Sequence, residues 1–306
     1  MRAAVCTAYG PPEVLRLEER ATPVPARNEV RIRVRATAVT SSDCYVRGLA
    51  LSPAYRILAR LVLGWSSPRR PVLGMVLSGE VEAVGPGVRL FEVGDPVFGM
   101  DKDRFGTYAQ QVCWPEKGLL ARRPAGITDE EAAAIPYGGL LASHLLRKAG
   151  IRSGAAVLVY GASGAVGTST VQLARHLGAE VTAVCSAANA ELVTSLGAST
   201  VIDYARKDFT QQAARCDAVL DAVGKRTSAA ALKGVRRVLA PGGSCVSIDD
   251  GAPRLRQEDL ALLGTLAEKG RIRAVIDRTY TLDEIVEAHR YVDGGHKRGN
   301  VVITVP

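Results

Sequence analysis

Three glycines, Gly161, Gly164 and Gly167, recur at three-residue spacing within the stretch Val157 to Ser186, VLVYGASGAVGTSTVQLARHLGAEVTAVCS. Glycine at this spacing permits a tight turn and lets an anion approach bare backbone N–H groups, and at the start of a helix the aligned peptide dipoles favour that anion further. The chemistry this suits is a grip on the pyrophosphate of a dinucleotide, with Gly161, Ala162, Ser163, Gly164, Ala165, Val166 and Gly167 as the candidate cradle. A second position addresses the neighbouring ribose. Roughly 20 residues past the glycines, sites built for NAD place Asp or Glu at the end of the following strand. Here that position falls near Ser186, and a hydroxyl accepts a 2′-phosphate where a carboxylate would repel it. The expected cofactor is therefore NADP(H).

A cradle of this kind works only between a strand and a helix, and the flanking residues predict both. Val157 to Tyr160 is an apolar, β-rich run suited to a strand buried on both faces. Val166, Thr170, Leu173, Ala174 and Leu177 fall on one helical face, Gly178 stands where a helix stop is expected, and Glu180 to Cys185 reads as a second strand. Downstream, a helix is expected near Asn189 to Leu196, strands at Thr200 to Ile202, Ala218 to Val223 and Ser244 to Ile248, and a helix at Ser228 to Leu239. Strands that alternate with helices and lack tight hairpins form a parallel sheet. Upstream, Thr128 to Glu131 is a capping box opening a short helix that ends before Pro136, with a second helix over Leu140 to Lys148.

The first third of the chain has a different texture. From Val30 to Ala38 apolar residues alternate with Arg31, Arg33, Arg35 and Thr37, the pattern of a half-buried antiparallel strand. Ser78 to Val84, Pro96 to Gly99 and Thr107 to Val112 continue in this style between turns rich in Gly and Pro, which fits a partly open β-barrel. Leu51 to Arg70 has helical spacing and is expected to pack on the barrel or cover a pocket. After a helix at Asp259 to Lys269, a strand at Arg271 to Arg278, a helix capped by Thr281 and Glu284 and a strand at Asn300 to Val305 need a sheet elsewhere, so the C-terminus is expected to rejoin the first domain. The division expected is 1–122 with 270–306, and 123–269.

Composition excludes several classes. The chain has 306 residues, 47% of them hydrophobic, enough for two domains with substantial cores. Its six cysteines stand singly with no C-x-x-C pair, which argues against a disulfide framework or a sequence-local zinc site and suits a reducing, cytoplasmic setting. Neither a secretory signal nor a membrane-spanning segment is expected, because the stretch from Met1 to Leu15 alternates as a strand would and no apolar run approaches membrane length. The net charge of +8 comes without interleaved aromatics, only 5% of residues, so neither nucleic acid nor membrane is an expected partner. His144, His176, His289 and His296 are expected at helix surfaces or ends, none at metal-ligand spacing.

With these parts placed, the sequence resembles the medium-chain dehydrogenase/reductase superfamily, and within it the zinc-free quinone oxidoreductase and enone reductase branch. The resemblance runs through Gly79-Glu80-Val81-Glu82-Ala83-Val84-Gly85, Val93-Gly94-Asp95-Pro96-Val97-Phe98-Gly99, Gly106-Thr107-Tyr108-Ala109, the glycine turn, Leu196-Gly197-Ala198 and Asp221-Ala222-Val223-Gly224. It implies an α/β fold, a Rossmann doubly wound parallel sheet plus a GroES-like partly open β-barrel domain. Zinc members have a Cys before an Asp in the segment matching Thr40 to Gly48 and a Gly-His-Glu in that matching Leu73 to Ser78. This chain has Ser41-Ser42-Asp43 and Gly74-Met75-Val76, and no Cys between Met100 and Gly106. Such residues cannot rebuild either zinc site.

The resemblance also implies site residues. Tyr45 matches an active-site tyrosine and lies beside Asp43 in sequence, and Thr40 stands where relatives carry an Asn near the nicotinamide. Asn189 and Tyr204 are expected around the 2′-phosphate, although many relatives have Lys or Arg at the position of Asn189; Arg206, Lys225 or Arg298 would then supply charge. Val223 and Gly224 are expected on the nicotinamide face, and Lys297 to Asn300, with Arg298 and Asn300, near the cofactor. The reaction implied is hydride transfer from NADPH to a small-molecule quinone or α,β-unsaturated carbonyl, by a homodimer. Alternatives are an NADPH-binding redox sensor with little turnover, or a zinc-independent NAD(P)-dependent enzyme of the alcohol dehydrogenase type.

Overall fold

The computed structural model describes residues 1–49, 57, 60, 61, 63–206 and 208–306. It divides into two compact units, Met1–Pro136 with Ile276–Pro306, and Tyr137–Val275. Much of the expected Leu51 to Arg70 helix lies outside the described residues.

The first unit is built on β1 (Arg2–Cys6), β2 (Leu15–Glu19), β3 (Glu29–Val39), β4 (Val76–Val84), β5 (Pro96–Met100), β6 (Gln111–Pro115) and β7 (Leu120–Arg122), joined from the far end of the chain by β13 (Ile276–Thr281) and β14 (Asn300–Thr304). A seven-stranded sheet runs β13-β14-β3-β4-β5-β7, with β6 also on β3, and β1 and β2 form a separate ribbon. β14 pairs antiparallel with β3, so the C-terminus does return to this unit. Val30, Ile32 and Val34 are fully buried, as the alternation requires, and pack in a core with Leu77, Tyr108, Trp114 and Ile303. The strand expected at Thr107 to Val112 is displaced to Gln111–Pro115. Tyr108 and Ala109 instead bridge to the first strand through Ala4 N–H to the Tyr108 carbonyl, which leaves Trp114 to enter the core.

The second unit is a five-stranded parallel sheet in the order β10-β9-β8-β11-β12, comprising β8 (Ala156–Tyr160), β9 (Glu180–Cys185), β10 (Thr200–Asp203), β11 (Cys216–Asp221) and β12 (Leu239–Ser247). The order reverses at β8, between β9 and β11, which is where open α/β sheets hold ligands outside the carboxyl ends of their strands. Val157, Leu158 and Val159 are buried on both faces, as their unbroken apolar run demands.

Two helical expectations and one strand are corrected. Asp129–Lys148 is one helix with Pro136 inside it, because Ala132, Ala133 and Ala134 before the proline and Tyr137 and Leu140 after it are each buried, and that burial outweighs the one lost backbone bond. Ser228 to Leu239 is a short helix, Lys225–Ser228, followed by a 3-10 run, Ala231–Arg237. The strand at Arg271 to Arg278 begins only at Ile276, where pairing with β14 starts. Among the described residues no helix is long and apolar enough to cross a membrane.

Candidate functional site

In the second unit the glycine turn follows β8 directly. The Gly161 and Ala162 amides both donate to the Val184 carbonyl at 3.1 Å, pinning the turn to β9. Gly161 has φ +75°, a conformation L side chains rarely adopt, and a Cβ on Gly167 would overlap the Gly161 carbonyl oxygen. Gly164 is the N-cap of the helix Ala165–His176 and, having no side chain, leaves the first-turn N–H groups without a capping acceptor. A Cβ there would meet only the Gly161 oxygen, at 3.7 Å. Bare donors, a helix dipole and free space combine at one point, the arrangement a pyrophosphate fits.

The end of β9 carries hydroxyls rather than a carboxylate. Asn189 Nδ2 donates to Ser163 Oγ at 3.0 Å and to Ser186 Oγ at 3.2 Å, drawing three of the expected residues into one cluster. Each serine accepts from Asn189, so its own O–H is left to be donated. Tyr204, just beyond β10, is exposed, and its amide reaches the Cys185 carbonyl at 3.3 Å. It borders a pocket of about 430 Å³ with Tyr160, Asp208, Phe209, Lys233 and Arg237. Sequence reading missed Lys233 and Arg237 because they lie in what resembled an ordinary surface helix; the run Lys233-Gly234-Val235-Arg236-Arg237 was the available signal.

Of the three cations expected to supply charge, Arg206 projects into solvent and pairs with Asp203 at 3.5 Å, while Lys225 pairs with Asp250. Arg298 belongs to the other unit, where its side chain pairs with Asp277 at 3.7 Å. Val223 and Gly224 follow β11, with the Val223 side chain filling the space that a Cβ on Gly161 would take.

In the first unit Thr40 caps the helix Ser41–Gly48. Its hydroxyl donates to Asp43 Oδ2 at 2.6 Å, its amide donates to the same oxygen at 2.9 Å, and Asp43 N–H donates back to Thr40 Oγ1 at 3.2 Å. Gly74 N–H donates to Asp43 Oδ1 at 3.2 Å. Asp43 is fully buried, and burial pushes its carboxyl up to about 6 despite these donors. Adjacency to Tyr45 in sequence does not become adjacency of side chains. Residues two apart on a helix face opposite ways, so Asp43 turns inward to the cap while Tyr45 stays 44% exposed. Asn300, at the start of β14, is buried, and the amine of Lys297, pulled down to about 8 by burial, donates to the Gly299 carbonyl at 2.5 Å.

One cluster was invisible in sequence. His289, expected at a helix surface or end, is fully buried in mid-helix within Ile285–Asp293, because the face that it shares with Ile285, Ala288 and Val292 packs into the core. Arg47 Nη1 donates to His289 Nδ1 at 3.2 Å, Arg47 Nη2 pairs with Asp293 at 2.6 Å, and Cys44 Sγ lies 3.4 Å from the same ring nitrogen. Burial, then the Arg47 charge, holds the imidazole down at about 3, and burial also pushes the Cys44 thiol up. The ring is neutral, with Nδ1 as acceptor. Among the described residues no three His, Cys, Asp or Glu side chains gather as a metal site would need.

Comparison with known proteins adds family context. Residues 26–125 match the family model described as "Alcohol dehydrogenase GroES-like domain", and residues 165–274 match one described as "Zinc-binding dehydrogenase". The chain is 32% identical over 323 residues to the 2-methylene-furan-3-one reductase of Solanum lycopersicum, covering 99% of this chain and 79% of that protein. The solved quinone oxidoreductase from Coxiella burnetii superposes with a TM-score of 0.85 at 27% identity, covering 100% and 99% of the two chains. A solved NAD-dependent alcohol dehydrogenase superposes with a TM-score of 0.87 at 28% identity over 100% of both.

Proposed function

The chain belongs to the medium-chain dehydrogenase/reductase superfamily, and from that premise we propose that it is a zinc-independent, NADPH-dependent oxidoreductase whose acceptors are quinones or α,β-unsaturated carbonyl compounds. The observation that carries the cofactor reading is the uncharged cluster in which the Asn189 amide joins Ser186, just past β9, to Ser163 of the glycine turn, where an NAD site would place a carboxylate. The glycine turn holds the pyrophosphate, and Tyr204, with Lys233 and Arg237 behind it, serves the adenosine end. The names of the tomato reductase and the Coxiella enzyme support the acceptor class. Zinc independence is supported by the donor set: both Asp43 oxygens are spent on the helix cap and on Gly74, and Met75 offers only a thioether.

When bound, the reduced nicotinamide supplies a hydride. The protein's part is to hold the acceptor, stabilise the charge that grows on its carbonyl oxygen, and deliver a proton. For an enone the hydride adds to the β-carbon, the π electrons move toward the oxygen, and a proton at the α-carbon completes the saturated ketone. For a quinone, one hydride and one proton give the hydroquinone. Tyr45 Oη is the proposed donor to the acceptor's carbonyl oxygen, from an exposed helical position that its buried neighbours hold fixed. Thr40, whose hydroxyl is engaged with Asp43, positions that helix rather than contacting the acceptor. Arg298 and Asn300 belong to the proposed cofactor-binding set of the first unit. A homodimer in the cytoplasm is the form proposed.

The test is loss of reduced-nicotinamide absorbance with a panel of small enones and quinones, run in parallel with NADPH and NADH. Turnover of at least one acceptor class with a clear NADPH preference is expected. Tight NADPH binding without turnover of any acceptor would leave a binding protein, and equal use of NADH would remove the argument from Ser186. Sedimentation at micromolar concentration reads the dimer, which a clean monomer would contradict.

A further inference from the structure

The residues expected on the nicotinamide face, Val223 and Gly224, owe their position to a carboxylate that never reaches that face. Asp221, the last residue of β11, is fully buried. Its Oδ1 accepts the amides of Val223 and Gly224, each at 3.1 Å. Its Oδ2 accepts the hydroxyls of Ser228 at 2.6 Å and Ser247 at 2.8 Å, both themselves buried. Four donors from three separate segments thus converge on one side chain. The β11 exit, the helix Lys225–Ser228 and the end of β12 are tied together through it.

The consequence reaches the glycine turn. Ala222 N–H donates to the Tyr160 carbonyl at 3.0 Å, and the Val223 side chain closes over Gly161, filling the space a Cβ there would need. Two backbone amides held by one oxygen fix the peptide planes on either side of Val223. That settles where its side chain sits against the turn. Without the carboxylate, the two amides and the Ser247 hydroxyl would lose their acceptor, Ser228 would keep only the Gly224 carbonyl, and the loop would rearrange toward solvent to satisfy the stranded donors.

We infer that Asp221 is a positioning residue for hydride transfer: it locks the Val223–Gly224 segment against the glycine turn and so fixes the surface on which the nicotinamide ring rests, with Ser228 and Ser247 completing the lock. The inference rests on the cofactor reading proposed above for that surface. The lock shapes the reacting end of the site and touches the cradle only at Gly161, while the turn itself is pinned separately by the Gly161 and Ala162 amides on the Val184 carbonyl.

Asp221→Ala removes all four acceptor contacts, whereas Asp221→Asn keeps Oδ1 for the two amides and turns Nδ2 toward serine oxygens able to accept. In the protein without cofactor, amide hydrogen exchange at Val223 and Gly224 is expected to accelerate in Asp221→Ala and to stay near wild type in Asp221→Asn. With cofactor and acceptor, kcat is expected to fall on the order of 100-fold in Asp221→Ala, as misplacement of a reacting group by about 1 Å does. The NADPH dissociation constant should change by less than about threefold, since the phosphate contacts remain, and Asp221→Asn should restore most of the rate. If Asp221→Ala does not fold, Ser247→Ala gives a weaker version of the same pattern: faster exchange at 223 and 224, lower kcat and unchanged affinity. Unchanged exchange at both amides in Asp221→Ala, or in Ser247→Ala where that variant takes its place, overturns the lock. So does an equal loss of kcat and cofactor affinity, which would mark general destabilisation. Failure of the wild-type protein to turn over any acceptor would count against the proposed function alone, because the exchange measurement needs neither cofactor nor acceptor.

Discussion

Asp43 in the first unit and Asp221 in the second perform the same task with different surroundings. Each is fully buried, Asp43 in the first turn of the helix Ser41–Gly48 and Asp221 at the end of β11, and each accepts backbone N–H groups that would otherwise be stranded. Around Asp221 the side-chain partners are two serine hydroxyls, which do not titrate near neutrality. Beside Asp43 stand Tyr108 and Cys44, and the Tyr108 ring meets His289, itself beside Arg47, edge-on at 5.5 Å. A buried carboxylate can therefore organise a loop by either route. At Asp43 the route makes stability depend on groups with displaced proton affinities.

The largest expected effect follows from His289 and Asp43, which act in opposite directions. His289 is held down at about 3 against an ordinary 6.5, so the folded state binds fewer protons than the unfolded between those values. Its contribution, about 5 kcal/mol, is complete above pH 6.5 and lost as pH falls toward 3. Asp43, raised from 3.8 to about 6, binds more protons in the folded state across that range. Its contribution, about 3 kcal/mol, is present below pH 3.8 and lost as pH rises through 6. Between pH 4 and 6 the two slopes nearly cancel. Denaturant unfolding at several pH values should therefore show His289→Gln gaining stability relative to wild type on acidification through this window. Asp43→Asn should instead lose an extra ~1.4 kcal/mol per pH unit. Profiles parallel to wild type in both variants would break the comparison at its root.

How much of this was legible in sequence depended on the reach of each interaction. The glycine turn reads directly because strand, turn and helix are contiguous, and the alternation from Val30 to Val34 reads because strand periodicity is local. Asp221 could be found as part of a motif, but its partners Ser228 and Ser247 lie 7 and 26 residues away and look like ordinary polar residues. The Cys44–His289 contact spans 245 residues and could not be read at all. Pro136 misled because its local cost is real, yet the buried alanines around it decide the outcome. Thr107 to Val112 misled because its alternation suits a strand, while Tyr108 is drawn to bridge the first strand instead. In each case a tertiary contact outweighed a sound local rule.

The glycine turn sharpens the comparison at the next level of magnitude, since it separates residues needed by the fold from residues needed by the ligand. In Gly167→Ala the new methyl would collide with backbone at Gly161 and Ala162, so a loss on the order of 1–3 kcal/mol is expected together with loss of cofactor binding. In Gly164→Ala the methyl makes only an ordinary contact with the Gly161 oxygen, and stability should stay within about 0.5 kcal/mol of wild type. That same methyl stands over the first-turn amides, so NADPH affinity should fall by about tenfold or more. Thermal unfolding and fluorescence titration on the two variants give the comparison directly. Equal behaviour of the pair would mean that the bare N-terminus is a packing device rather than an anion seat.

The smallest effect concerns selectivity alone. Ser186 is half-buried at the end of β9 and accepts from Asn189 Nδ2, a donor that serves a carboxylate equally well. Ser186→Asp should therefore fold as wild type does while placing a negative charge where a 2′-phosphate would sit. Like-charge repulsion then weakens NADPH, and a new acceptor for ribose hydroxyls strengthens NADH, so the ratio of the two affinities should shift toward NADH by about tenfold or more. The Asp221 lock, in the same unit but tied to different loops, should be untouched, leaving exchange at Val223 and Gly224 at the wild-type rate. A shift in selectivity with unchanged exchange would show that the two ends of the second unit's site are set independently. No shift in selectivity would place the 2′-phosphate elsewhere, with Lys233 and Arg237 at the neighbouring pocket as the residues to vary next.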